Sequence, residues 1–147
     1  MNPFDLSNKV ICVTGASSGI GRQCAVSCSR MGATVVLLAR NEQRLHETLS
    51  IMDNPDKHVI IPVDLTEYAT VELVVKNIVS QVGRISGVLH CAGISTTLPL
   101  KLVTPEKLDE FFQANVFSAY NLTREVCKMG NFSKEGGSIV FFSSVMG

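Results

Sequence analysis

The chain has 147 residues and a mass of 15.9 kDa, the size of one domain, with 46% apolar and 18% charged residues. That composition supports a sizeable core and excludes a disordered chain. Thirteen basic residues balance thirteen acidic ones, so nothing draws the chain to nucleic acid or an anionic membrane, and no apolar run nears the roughly 20 residues of a membrane helix.

The opening Met1-Asn2-Pro3-Phe4-Asp5 lacks the basic region of a secretory signal. Residues 9–13 then read as a first strand, 34–38 as a second, 58–63 as a third, 87–91 as a fourth and 138–142 as a fifth. Each run is almost continuously apolar instead of alternating. Strands buried on both faces look like that, which implies a parallel sheet between helix layers.

The stretches between the strands have helical spacing. Leu45, Leu49 and Met52 mark a short helix after the second strand. Val71, Val74, Ile78 and Val82 put one apolar face on a helix after the third, with Thr66 as its expected N-cap. Thr104-Pro105-Glu106 opens a long helix with a cap, a first-turn proline and an acid at the positive end of the dipole. Its expected buried stripe is Leu108, Phe112, Asn115, Ala119, Leu122 and Val126. Gly136-Gly137 breaks the chain before the fifth strand. The order β-α-β-α-β-α-β-α-β predicts an α/β architecture, a doubly wound Rossmann fold on a parallel sheet, as a single domain over residues 1–147. Ligands of such sheets bind beyond the strand C-termini, at the switch point.

The five cysteines, Cys12, Cys24, Cys28, Cys91 and Cys127, are odd in number and form no C-x-x-C pair. Buried thiols in a reduced, cytoplasmic protein are the expectation. Cys24 and Cys28 could share a helix face and a soft metal, but no third ligand lies nearby in sequence, so no metal site is expected.

Thr14-Gly15-Ala16-Ser17-Ser18-Gly19-Ile20-Gly21 joins the first strand to the first helix. Gly15 permits a tight turn, Gly19 keeps any Cβ away from a phosphate, and Gly21 lets the helix pack close to the sheet. Amides at the start of the helix would face the anion. An ordinary strand-to-helix turn is the plain alternative. Arg40 follows the second strand with no acid at the strand end to take a ribose 2′-hydroxyl. A guanidinium suits a 2′-phosphate through bidentate, charge-assisted bonds; a solvated surface arginine is the alternative. Asn115 is an amide on an apolar stripe, and burying it unsatisfied would cost on the order of 1–3 kcal/mol. It therefore needs partners, in a structural hydrogen bond, a helix kink or a site.

The glycine segment resembles the T-G-x-x-x-G-I-G motif of the short-chain dehydrogenase/reductase family. The resemblance continues in register. Val63-Asp64-Leu65 is similar to the family's third-strand end, whose Asp contacts adenine. His90-Cys91-Ala92-Gly93 is similar to its Asn-Asn-Ala-Gly segment, Asn115 falls on its active-site Asn, and residues 137–144 resemble the strand that ends at its catalytic Ser, here Ser144. The resemblance implies a cofactor site of Gly15, Ser17, Ser18, Gly19, Ile20, Gly21, Arg40, Asp64, Leu65, Cys91, Ala92 and Gly93, with Ser144 and Asn115 as catalytic residues. A basic residue at Arg40 goes with NADP(H) in the family. There Ser144 would orient a carbonyl and steady the oxyanion, and Asn115 would hold a water of the proton relay.

Two departures stand out. His90 and Cys91 replace the two asparagines of the fourth-strand motif, so any bond those make must be made otherwise. The family's Tyr-x-x-x-Lys is absent from the 147 residues, since Tyr68 is followed by Glu72 and Tyr120 by Arg124. Five of the family's seven strands are present, and a chain truncated at its C-terminus is the expectation. The resemblance implies an NADP(H)-dependent oxidoreductase acting on a small-molecule carbonyl or secondary alcohol, 3-oxoacyl reductase-like among the options, with these residues inactive alone. A non-catalytic NADP-binding or sensor module is the alternative. A homo-oligomer, dimer or tetramer, is implied as partner.

Overall fold

The apolar runs fold as the strands of one five-stranded, all-parallel sheet in the computed structural model, which describes residues 2–145. In chain order these are β1 (Val10–Thr14), β2 (Thr34–Ala39), β3 (Val59–Pro62), β4 (Gly87–His90) and β5 (Ser138–Phe141). The spatial order is β3-β2-β1-β4-β5. Successive strands run outward from β1 in one direction and then in the other, so the switch point lies between β1 and β4. The helices are α1 (Gly19–Arg30), α2 (Glu42–Ser50), α3 (Tyr68–Val82), α4 (Pro105–Phe112) and α5 (Ser118–Val126).

Both faces of the sheet are covered, which is why the strands do not alternate. Val10, Cys12, Val36 and Leu38 pack with Val71, Val75 and Ile78 of α3 and Leu122 and Val126 of α5. Ile11, Val13, Val35 and Leu37 point to the other side, against Ala25 and Val26 of α1 and Leu45 of α2. Burial pushes the thiols of Cys12 and Cys28 up to about 12 and about 11. β3 and β5 are the edge strands, and on β5 Val140 and Phe141 are exposed.

Three expectations about local structure are corrected. Thr66 does not cap α3, which begins at Tyr68 behind Glu67. The Thr66 amide and hydroxyl both donate to Asp64 Oδ1, at 2.9 and 2.7 Å, so an Asx turn holds Thr66 ahead of the helix start. The apolar face of α3 runs through Val75, with Val74 only half buried. The long helix is not continuous: a π-helical turn, Gln113–Phe117, separates α4 from α5. An extra residue per turn rotates the stripe. Leu108 and Phe112 are therefore exposed and Asn115 and Ala119 are off the core, while Leu122 and Val126 alone of that stripe are fully buried. Its start is as expected, with Thr104 accepting the Lys107 amide at 3.2 Å and Pro105 in the first turn.

Candidate cofactor site

At the carboxyl ends of β1, β2 and β3 the structure opens a cleft of about 900 Å³. The glycine loop forms one wall. Gly15 has φ +64°, and a Cβ there would stand 2.9 Å from the Ala92 backbone, so only glycine lets the β1 and β4 loops touch. A Cβ on Gly21 would lie 2.2 Å from the Gly15 carbonyl oxygen, so that glycine permits α1 to start directly behind the turn. Gly19 (φ +53°) has open space where a Cβ would be. Ser18, just before α1, is extended and its side chain caps nothing. The first amides of a 12-residue helix thus face the cleft without a side-chain cap. An uncapped helix start behind a Cβ-free wall fits a diphosphate, and the residues present suit a dinucleotide.

Thr14 stitches the loop to β4. Its Oγ1 accepts the Ala92 amide at 3.0 Å and lies 3.5 Å from the Leu89 carbonyl. Ala92 and Gly93 line the cleft, as does Cys91, whose thiol is pushed up to about 12 by burial and by its neighbours Cys24 and Cys28. Among the described residues no group of three His, Cys, Asp or Glu side chains is placed to hold a metal.

Arg40 leaves β2 into the cleft, followed by Asn41, which caps α2 by accepting the Arg44 amide at 2.9 Å. Among the described residues neither Arg40 nor Arg44 forms an ion pair. Asp64 and Leu65 stand on the far side. Hydrogen bonds from the Thr66 amide and hydroxyl hold the Asp64 carboxyl below its ordinary range, and the positive charge of Arg40 adds to this. The structure therefore brings together all twelve residues read as cofactor-binding except Gly21, which supports the wall from behind.

The two residues read as catalytic lie elsewhere. Asn115 sits on the π turn and binds the backbone of Ile94 twice: Oδ1 accepts its amide at 2.7 Å and Nδ2 donates to its carbonyl at 2.9 Å. Its amide clamps the loop after β4, and a Cβ on Gly93 would meet Oδ1 at 2.9 Å. The buried amide expected from the stripe is instead an exposed residue with both partners found. Ser144 lies past the end of β5, exposed and outside the cleft lining.

His90 takes over the place of an asparagine. It is buried, stacks on Phe141 with ring centroids 4.7 Å apart, and holds the Thr123 hydroxyl of α5 at 2.8 Å through Nε2. Burial lowers its pKa to about 4, so the ring is neutral. Sequence reasoning missed Asn41, Arg44 and Ser118, which also line the cleft. Arg44 was detectable as the third residue of a helix that starts beside Arg40. Ser118 carried no signal, because the π turn that presents it was unseen.

A family model described as short chain dehydrogenase matches residues 9–147. Over 148 aligned residues the chain is 33% identical to the uncharacterized oxidoreductase YciK of Escherichia coli, covering 97% of this chain and 58% of that protein. It superposes on a short chain dehydrogenase from Salmonella enterica serovar Typhi with a TM-score of 0.85 at 35% identity, over 95% of this chain and 59% of the other. A variant of actinorhodin polyketide ketoreductase solved with NADPH gives 0.85 at 26% identity, over 92% and 53%. The chain spans less than two thirds of the length of these relatives.

Proposed function

The chain belongs to the short chain dehydrogenase family, and from that premise we propose that it forms the cofactor-binding part of an NADP(H)-dependent oxidoreductase. The reaction is hydride exchange between the nicotinamide and a small-molecule carbonyl or secondary alcohol, with a 3-oxoacyl compound as one candidate substrate. Bound nicotinamide supplies or accepts the hydride. The work of this chain is to bind and orient it. Gly15, Ser17, Ser18, Gly19 and Ile20 hold the diphosphate, with Gly21 behind them, and Asp64 and Leu65 border the adenine. Cys91, Ala92 and Gly93 pass along the ribose, and Asn115 fixes that strand end through Ile94. Ser144 serves a substrate carbonyl.

One observation carries the choice of cofactor. Among the described residues Arg40 and Arg44 both line the cleft and neither forms an ion pair, although the charge of Arg40 reaches the Asp64 carboxylate. Two guanidiniums outside any ion pair favour the extra phosphate of NADP(H), which the solved ketoreductase complex also holds as NADPH. Calorimetry with both cofactors tests the reading. NADPH is expected to bind more tightly than NADH, by roughly tenfold for about 1.4 kcal/mol of added interaction, and Arg40→Ala to abolish most of that gap. Equal titration curves for the two cofactors would refute it.

A binding module without catalysis is favoured by one fact: Tyr68 and Tyr120 both lie outside the cleft lining, and neither begins a Tyr-x-x-x-Lys. Turnover separates the two readings. These 147 residues are expected to bind cofactor and reduce nothing by themselves. We also propose a single domain over residues 1–147, a cytoplasmic location on account of five unbridged thiols, and a homo-oligomer. Among the described residues no helix is long and apolar enough to cross a membrane.

A further inference from the structure

We propose that Arg22 and Thr48 are positioning residues for the dinucleotide, a brace behind the glycine loop that aims two of its amides into the cleft. This rests on the cofactor reading above and adds a mechanism to it. Thr48 of α2 is fully buried, and its hydroxyl has two acceptors in reach, the Ala16 carbonyl at 2.8 Å and, farther off, the Arg44 carbonyl of its own helix at 3.1 Å; the shorter contact is the one to Ala16. The Thr48 hydroxyl oxygen accepts Nε of Arg22 at 3.0 Å. Nη2 of Arg22 donates to the Ser17 carbonyl at 2.7 Å and to the Glu47 carboxylate at 3.2 Å.

The direction of these bonds matters more than their number. In a planar trans peptide the carbonyl and the following N–H point opposite ways. Pinning the Ala16 oxygen therefore fixes where the Ser17 N–H points, and pinning the Ser17 oxygen fixes the Ser18 N–H. Ser17 and Ser18 line the cleft, whereas Ala16, Arg22, Glu47 and Thr48 do not. The carbonyls are held on the rear side, and the two amides are turned to the cleft. Among the described residues neither amide donates to a protein acceptor. They are left for an anion, and the loop that presents them is fixed before the anion arrives.

The brace also sorts the arginines. Arg22, Arg40 and Arg44 all lie near the loop and α2, and charge alone does not separate them. Arg22 is occupied by one carbonyl, one hydroxyl and one carboxylate, which keeps its guanidinium out of the cleft. Arg40 and Arg44 remain for phosphate.

The test compares NADPH with adenosine 2′-monophosphate, which carries no diphosphate, by calorimetry on the full chain. Thr48→Val, which keeps shape and removes the hydroxyl, and Arg22→Gln are each expected to weaken NADPH by roughly tenfold, the scale of one lost charge-assisted or buried hydrogen bond. Adenosine 2′-monophosphate should bind as to the unaltered chain, and Thr48→Ser should restore NADPH. Ser29→Ala removes a buried hydroxyl bonded to the Val26 carbonyl and the Asp53 amide, away from the loop, and serves as the stability control. Unchanged NADPH affinity in Thr48→Val and Arg22→Gln overturns the brace while leaving the cofactor reading intact. So does equal weakening of both ligands, or an equal NADPH loss in Ser29→Ala at matched melting temperature. Failure of the unaltered chain to bind either ligand overturns both.

Discussion

Lowering the pH from 7 to 4.5 should destabilise this domain through His90. The ring is buried between Phe141 and Thr123, and its pKa falls from an ordinary 6.5 to about 4. The folded state therefore prefers the neutral ring, and between those values the unfolded chain binds more protons. Stability is fully present above about pH 6.5 and is lost as pH falls toward 4. A shift of that size corresponds to about 3 kcal/mol in total, a large part of the 5–15 kcal/mol that holds a typical domain together. His58 is shifted downward too, chiefly by burial, and adds loss in the same direction. The lowered carboxylates, Asp5, Asp64, Glu72 and Glu106, act only nearer pH 4, because their stabilisation persists until they protonate. Urea unfolding at half-unit steps from pH 7 to 4.5 reads the slope. His90→Asn, which restores an amide at that position, should flatten it while changing stability at pH 7 by its own offset. An identical slope in both proteins would mean that His90 is not the buried, neutral ring described.

Two other substitutions divide fold from binding. Gly15→Ala puts a Cβ 2.9 Å from the Ala92 backbone at φ +64°, and should cost on the order of 2–4 kcal/mol, seen as a fall in melting temperature. Gly19→Ala meets no atom within 4 Å and should cost only about 1–2 kcal/mol for its positive φ, yet abolish calorimetric binding of NADPH because the new methyl stands in the cleft. The row Leu108, Phe112, Val116 and Tyr120 recurs every four residues, each 46–63% exposed, along α4, the π turn and α5. Such a row is larger than single exposed apolar residues warrant and is expected to be covered by a second copy. Light scattering should give a dimer or tetramer that Phe112→Glu dissociates; a monodisperse monomer of the unaltered protein would refute the assignment.

The glycine wall of the cleft was legible because its requirements are local. A turn with positive φ, a close strand-to-helix approach and a helix start all fall within residues 14–21, and glycine is the residue that meets the first two. The sheet was legible for a similar reason: burial on both faces writes itself into each strand as an unbroken apolar run. Even the local code failed where two turn signals overlap. Thr66 satisfies the rule for an N-cap, but Asp64 two residues earlier satisfies the rule for an Asx turn, and that turn leaves Thr66 ahead of the first turn of α3.

What stayed hidden depends on partners far apart in the chain. The π turn between α4 and α5 exists where Asn115 grips Ile94, 21 residues earlier, and no helical period contains that information. Once the turn is present, the expected stripe comes off the core and its apolar residues face outward, which is why one misread element changes the reading from core to surface. The brace is of the same kind. Arg22 and Thr48 are 26 residues apart, on two helices, and each looks like ordinary helix filling until the sheet order 3-2-1 sets α1 beside α2. At position 90, where the resemblance led one to expect an asparagine, the side chain is a histidine. The imidazole joins β4 to α5 through Thr123, and it brings a sensitivity to acid that an asparagine would not carry.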